Sequence, residues 1–121
     1  VEEEQVEFVD GPAYPEPTEF ITYTNDGYTP STITVKRDTL VGFKNNSTVD
    51  FWPASAMHPT HTVYPGSDIK LCVSSDRGGL FDACEGLSPG SQWVFLFHEV
   101  GTWKYHDHLN PKYGGTIVVV E

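Results

Sequence analysis

Short stretches of alternating apolar and polar residues recur along the chain and are typical of β-strands. They are FITYT, STITVKRDTLVGFKN, QWVFLF, GTWKYH and GTIVVV, and the turn signals NDG, KNN, YPG, SPG and PKYGG separate them. In GTWKYH, Trp103 and Tyr105 fall on one face, whereas Lys104 and His106 fall on the other. No stretch keeps a 3.6-residue period, and SDIKL is the one candidate for a short helix. The pattern predicts an all-β fold, an antiparallel sandwich.

The length of 121 residues fits one domain. An acidic run followed by three prolines sets the first 18 residues apart from the rest. We therefore expect a flexible acidic arm over residues 1–18 and a folded domain over residues 19–121. The net charge of −10 argues against nucleic acid and anionic membrane surfaces as partners. No apolar run is long enough for a membrane span, and the sequence leaves open whether an N-terminal anchor preceded Val1.

Cys72 and Cys84 are the only cysteines, and the residues between them are loop-like. Neither belongs to a C-x-x-C pair, so the spacing does not support a zinc ribbon or a thioredoxin motif. A disulfide between them would stabilise the fold by about 3 kcal/mol, mainly by restricting the unfolded chain. We predict this disulfide, with two buried free thiols as the alternative. It implies an oxidising location, secreted, periplasmic or elsewhere in the cell envelope.

Four of the five histidines form two close pairs, His58 and His61 in HPTH and His106 and His108 in HDH. On a strand, the two-residue spacing places the second pair on one face, where both rings can reach one ion. The proline in HPTH restricts the loop backbone and favours a fixed presentation of the first pair. Neutral imidazoles suit copper, zinc or nickel. We predict that both pairs bind one metal ion, and we interpret the isolated His98 as a surface residue.

The stretches GYTPSTITVKRDTLVGFKNNS, SPGSQWVFLFHEVGTWKYH and GGTIVVVE carry a family resemblance. In this order they resemble the second and third strands, the late hairpin and the closing strand of the cupredoxins. Together they cover most of residues 28–121 and leave SDIKLCVSSDRGGLFDACEG as an insertion. The resemblance implies a cupredoxin-like Greek-key β-sandwich, in which the loop after the early strands and the end of GTWKYH share one pole.

The metal-binding positions implied by this resemblance differ from those of a blue-copper cupredoxin. Asp107 falls where the family has its copper-binding cysteine, and Asn110 and Tyr113 fall at the positions of the following histidine and the axial methionine. Asp50 falls at the position of the remaining histidine, for which His61 is a second candidate. A blue copper site cannot form without the thiolate, so we expect no blue electron carrier.

The HDH motif also resembles the His-Cys-His triplet of multicopper oxidases, whose flanking histidines bind a second copper site. HPTH resembles a histidine pair of the same oxidases. These likenesses imply one copper ion as the cofactor, with zinc as the alternative. The resemblance further makes Asp107, Asp50 and Tyr113 candidates for side chains that lie behind the ligands and orient them.

Two cations and one methionine are further candidates near the site. Arg77 and Lys112 each lie beside a glycine-rich or proline-containing turn, and either would attract a small anion if it faced the metal. The alternative for each is a solvated surface charge. Met57 adjoins His58 and is either a weak soft ligand or a core or rim residue.

Three hypotheses about function follow. The first is an enzyme of superoxide dismutase type, because the copper of copper–zinc superoxide dismutase is also held by four histidines on a β-sandwich, an analogy of ligands and architecture. Its partner would be a small anion or oxygen species. The second is a copper carrier or buffer in the envelope. The third is an electron-transfer cupredoxin, which ranks last because loss of the thiolate raises the reorganisation between copper states. An oligomer stays open, because histidines of copper nitrite reductases bind copper at a subunit boundary.

Overall fold

The computed structural model describes residues 16–74 and 79–121, which form a sandwich of two four-stranded sheets. The strands are β1 (Glu19–Thr24), β2 (Gly27–Thr29), β3 (Thr32–Lys36), β4 (Thr39–Asn45), β5 (Pro53–Ser55), β6 (Gln92–Phe97), β7 (Gly101–Asp107) and β8 (Asn110–Val120). The strand order is β2-β1-β4-β6 in one sheet and β3-β8-β7-β5 in the other. A 3₁₀-helix spans Ile69–Val73, overlapping the predicted short helix. The all-β prediction is confirmed.

Each sheet contains one parallel pair, so the prediction of a purely antiparallel sandwich is wrong in this detail. Strand β1 runs parallel to β4, with Ile21 opposite Phe43, and β3 runs parallel to β8, with Val35 opposite Val119. The other neighbouring strands are antiparallel. Alternation along a strand indicates which side chains are buried, but it does not indicate which strand becomes the neighbour.

The stretch PKYGG, predicted as a turn, lies inside β8. The chain reverses instead at residues 108–109, directly after β7. Gly114 lies opposite His106, and a Cβ at this glycine would collide with the carbonyl oxygen of Tyr105. The glycine is therefore needed for the close approach of two strands, not for a turn.

The core between the sheets is built mainly from aromatic rings. Tyr64 and Phe81 belong to the long connection between β5 and β6, and both are fully buried. Burying a side chain of this size stabilises the fold by roughly 1.5–3 kcal/mol, so these two rings fix the long connection on the sandwich. The other buried aromatic residues are Tyr23, Tyr28, Phe43, Phe51, Phe95, Phe97 and Tyr105.

Cys72 and Cys84 form a disulfide, which confirms that prediction. The bond joins the end of the 3₁₀-helix to the segment that follows Asp82, and Asp82 makes an isolated β-bridge with Ala54 of β5. The loop after the histidine pair HPTH is thereby tied to the edge of the second sheet.

Two parts of the sequence predictions fall outside the described residues. Residues 1–15 contain most of the predicted acidic arm, and residues 75–78 contain Arg77. Among the residues that are described, no helix is long and apolar enough to cross a membrane.

Candidate metal centre

The two histidine pairs meet in one place. His58 and His61 lie in the loop after β5, His106 lies on β7, and His108 begins the turn after β7. One ring nitrogen from each residue lies within 4.8 Å of the nitrogens from the other three. We call these four residues the histidine cluster.

The cluster is closed by protein on one side and open on the other. His61 is fully buried and His106 nearly so, whereas His108 is half-buried and His58 is exposed. The ring centroid of His61 lies 4.8 Å from that of His106 and 4.9 Å from that of His108. The centroid of His58 lies 5.3 Å and 5.0 Å from the same two rings. The solvent-facing side of the cluster is therefore the side of His58.

The chemistry of the cluster fits a metal ion. Nε2 of His106 is buried and has no hydrogen-bond partner among the described residues, and such an atom costs about 1–3 kcal/mol when left unpaired. Burial, and then the neighbouring histidines, lower the pKa of His106 to about 4. Burial also lowers the pKa of His108. Both rings are therefore neutral near pH 7, and each keeps a nitrogen lone pair that can bind a metal.

Backbone hydrogen bonds hold the loop that carries the first pair. The amide of His61 donates to the carbonyl of Met57 at 2.7 Å, and the amide of Val63 donates to the carbonyl of Ala56 at 2.9 Å. His61 has a φ of 62°, in the left-handed region that is costly for a residue with a side chain. Backbone strain of this kind persists only where the surrounding contacts impose it.

Asp82 is the main contact that the sequence did not predict. Its Oδ2 lies 2.7 Å from Nδ1 of His61, and both side chains are fully buried. Its Oδ1 accepts hydrogen bonds from the indole of Trp52 at 2.7 Å and from the amide of Cys84 at 2.8 Å. Burial alone would raise the pKa of Asp82, but the hydrogen bonds with His61, Trp52 and Cys84 outweigh burial, so the pKa is lowered. An ionised carboxylate therefore lies directly behind one histidine of the cluster.

Asp107 faces away from the cluster, as the alternation along β7 predicts. Its Oδ1 accepts hydrogen bonds from the amide of Trp52 at 2.6 Å and from the hydroxyl of Tyr28 at 3.1 Å. Burial raises the pKa of Asp107, although these hydrogen bonds act in the opposite direction. Oδ2 has no partner among the described residues. The backbone of Trp52 also links Asp107 to the HDH turn, because its carbonyl accepts the amide of His108 at 2.8 Å.

The other predicted neighbours of the site have different surroundings. Asp50 is exposed and lines, together with Asp107, a cavity of about 450 Å³ on the far side of the strand. The hydroxyl of Tyr113 donates to the carbonyl of Asn25 at 3.2 Å, and the ammonium of Lys112 lies 5.1 Å from the Tyr113 ring. None of these contacts involves a histidine of the cluster. Met57 is 67% exposed, so it is a rim residue and not a core residue.

The fifth histidine lies apart from the cluster, as expected. Nδ1 of His98 lies 3.3 Å from the hydroxyl of Tyr64, and its Nε2 lies 3.5 Å from a carboxylate oxygen of Glu99. The side chain of His98 is 44% exposed. It therefore provides a natural control for substitutions in the cluster.

No family model and no curated protein sequence matches this chain. Solved structures do match. A purple cupredoxin from Nitrosopumilus maritimus is 19% identical, with a TM-score of 0.63 over 84% of this chain and 98% of that protein. An amicyanin mutant in its reduced Cu(I) form at pH 4 is 15% identical, with a TM-score of 0.62 over 88% of this chain and 86% of that protein. The reduced state of another amicyanin mutant is 16% identical, with a TM-score of 0.60 over 84% of this chain and 80% of that protein.

These likenesses define the fold of this chain as that of the cupredoxins. The site differs from a blue copper site, because both cysteines of the chain are joined in a disulfide and neither can supply a thiolate ligand. At the end of β7 the chain has Asp107 between two histidines. The fold and the site together describe a cupredoxin-like domain with four clustered histidines in place of a thiolate ligand set.

Proposed function

We propose that this domain binds one copper ion through His58, His61, His106 and His108 and is a non-blue redox protein. The observation that carries the proposal is the convergence of four imidazole nitrogens within 4.8 Å on a cupredoxin fold. Copper bound there would supply one-electron redox chemistry between its Cu(I) and Cu(II) states. Copper is favoured over zinc because the matching folds include a Cu(I) amicyanin and because Cu(II) accepts nitrogen ligands in a tetragonal arrangement.

The residues around such a site would have different roles. His61 and His106 close the inner side and exclude water, and Asp82 adds one buried negative charge behind His61. His58 is exposed, so a small molecule can approach the cluster from solvent on that side. This open side supports, as the finer proposal, a small-molecule oxidoreductase of superoxide dismutase type. Attraction of an anion by Arg77 or Lys112 remains part of that finer proposal.

Electron transfer is the second candidate, and one observation favours it. The half-buried ring of Trp52 packs against His108, with 4.3 Å between the centroids, so a conjugated side chain connects the cluster to the surface. A site of this kind would exchange electrons with a protein partner and would need no open side. The disulfide supports a secreted or periplasmic location for either function.

The first experiment is a titration of the metal-depleted protein with Cu(II), followed by visible and electron paramagnetic resonance spectra. We expect the protein to bind one equivalent of copper. The electron paramagnetic resonance spectrum should show hyperfine splitting from nitrogen ligands, and the visible spectrum should lack an intense thiolate-to-copper band. Superoxide decay is then measured with the loaded protein, with free copper, and with the loaded variants His58→Ala and His98→Ala.

The outcomes separate the candidates. The enzyme proposal is supported if superoxide decays faster with the loaded protein than with free copper, and if this acceleration is lost in His58→Ala and kept in His98→Ala. Tight binding without turnover, but with rapid electron exchange with a redox partner protein, supports electron transfer. Tight binding with neither activity supports a carrier or buffer. A protein that binds no copper removes the whole proposal.

A further inference from the structure

We propose that Asp82 is a positioning residue that fixes the tautomer of His61, so that Nε2 of His61 is the metal-binding atom. The inference rests on the proposed function, since it assigns a role to one residue behind the proposed copper site. It concerns the proton on one ring, however, and that proton can be observed without any metal.

The hydrogen bonds of Asp82 leave only one arrangement for the His61 ring. Oδ1 of Asp82 already accepts from Trp52 and from the amide of Cys84, so Oδ2 faces Nδ1 of His61 at 2.7 Å. An ionised carboxylate can only accept hydrogen bonds. Nδ1 of His61 must therefore carry the hydrogen, and in a neutral ring Nε2 must then carry the lone pair.

The lone pair of His61 faces the cluster. Nε2 of His61 lies 3.1 Å from Nδ1 of His108, which donates to it in this arrangement. Both His61 and Asp82 are buried, so water does not compete for either ring nitrogen. A histidine that donates its second ring N–H to a carboxylate is a better metal ligand, and loss of such a partner lowers metal affinity by about 10- to 100-fold.

Asp82→Asn tests this role with almost no change in shape. The side-chain oxygen of the asparagine can keep the hydrogen bonds from Trp52 and Cys84, which leaves its amide group facing His61. That amide can only donate, so Nδ1 of His61 would become the acceptor and the hydrogen would move to Nε2. The metal-binding lone pair would be lost, although the fold would be retained. The matched control is Asp26→Asn, which removes the same charge from an exposed turn.

The direct measurement is nitrogen-15 NMR of histidine-labelled, metal-depleted protein at about pH 8, above the ordinary histidine pKa of about 6.5. We expect His61 with hydrogen on Nδ1 in the wild type and in Asp26→Asn, and on Nε2 in Asp82→Asn. Titration with Zn(II) and with Cu(II) should show affinity about 10- to 100-fold lower in Asp82→Asn only. Hydrogen on Nε2 of His61 in the wild type would overturn the proposal, and so would unchanged affinity in Asp82→Asn.

The test separates this inference from the proposed function. If the wild type binds neither metal, the proposed function fails, and the tautomer of His61 still decides the role of Asp82. If Asp82→Asn does not fold, the wild-type spectrum alone decides between the two tautomers.

Discussion

The indole ring of Trp52 lies against the imidazole of His108, with 4.3 Å between the ring centroids. The same residue donates its backbone amide to Asp107, accepts the amide of His108 on its carbonyl, and donates its indole N–H to Asp82. Trp52 therefore contacts the HDH motif and also the carboxylate behind His61. One residue between the end of β4 and the start of β5 ties both histidine pairs to a common framework.

Trp52→Phe should weaken this framework, because it removes the indole N–H that donates to Asp82. The substitution keeps an aromatic ring beside His108. Loss of a partner by a buried polar group costs about 1–3 kcal/mol. We expect the free energy of unfolding in urea to fall by about this amount and the Cu(II) affinity to fall with it. The control is Trp103→Phe, which removes an indole donor to the carbonyl of Glu99. Equal losses of Cu(II) affinity in the two variants would contradict the role of Trp52.

His58→Ala should weaken metal binding without harming the fold, because His58 is the exposed member of the cluster. We expect Cu(II) affinity to fall by at least the roughly 10- to 100-fold that loss of an outer partner causes. The free energy of unfolding of the metal-depleted protein should stay within about 0.5 kcal/mol of the wild-type value. His98→Ala, measured by the same titration, should bind copper as the wild type does. A His58→Ala variant with wild-type affinity would exclude His58 as a ligand.

The disulfide should support the metal site as well as the fold. Cys84 donates its amide to Asp82, and the bond to Cys72 holds that segment in place. Replacing both cysteines with serine should lower the free energy of unfolding by about 3 kcal/mol. It should also lower the Cu(II) affinity, because Asp82 would no longer be held firmly behind His61. A loss of stability with no change in affinity would show that Asp82 is positioned without the disulfide.

The stability of the metal-depleted protein should fall in mild acid. Burial lowers the pKa of His106 to about 4 in the folded protein, whereas the unfolded chain has the ordinary value of about 6.5. The unfolded state therefore binds more protons between these values, and stability is lost as the pH falls from about 6.5 to about 4. His106 alone should lower the free energy of unfolding by about 2 kcal/mol between pH 7 and pH 5.

Urea unfolding at several pH values, with a chelator present, measures this effect. His106→Gln should lose the part of the pH dependence that His106 contributes. Asp107 has a raised pKa and acts in the opposite direction, so the comparison of His106→Gln with the wild type isolates the contribution of the histidine. An identical pH dependence in the wild type and His106→Gln would contradict the burial of a neutral His106.

The sequence pattern predicted most strands and the two close histidine pairs, because both depend on spacing along the chain. Period 2 in GTWKYH placed His106 on one face of a strand, and the HDH spacing placed His108 beside it. Residue spacing also predicted the bond between Cys72 and Cys84. These features are local, so one strand or one loop contains the information for each of them. The meeting of the two pairs is not local, since His61 and His108 are 47 positions apart, and it was predicted from the family resemblance, which places both pairs at one pole.

The contacts behind the site could not be predicted, because they join residues far apart in the chain. Asp82 and His61 are 21 positions apart, and Trp52 and Asp82 are 30 apart. Nothing in the FDAC stretch marks its aspartate as a partner of a histidine. The parallel pairing of β1 with β4 is likewise a long-range choice, and local alternation does not encode it. The family resemblance directed attention to Asp50 and Tyr113 instead, and neither contacts the cluster.

A crystal structure of the copper-loaded protein, with anomalous scattering measured at the copper edge, tests the central claim most directly. The four-histidine proposal predicts one copper peak, bonded to a ring nitrogen of each of His58, His61, His106 and His108. It also predicts that Nε2 of His61 is the bonded atom. A peak in the cavity beside Asp107, a copper ion bound by fewer than all four of these histidines, or no peak at all would contradict it.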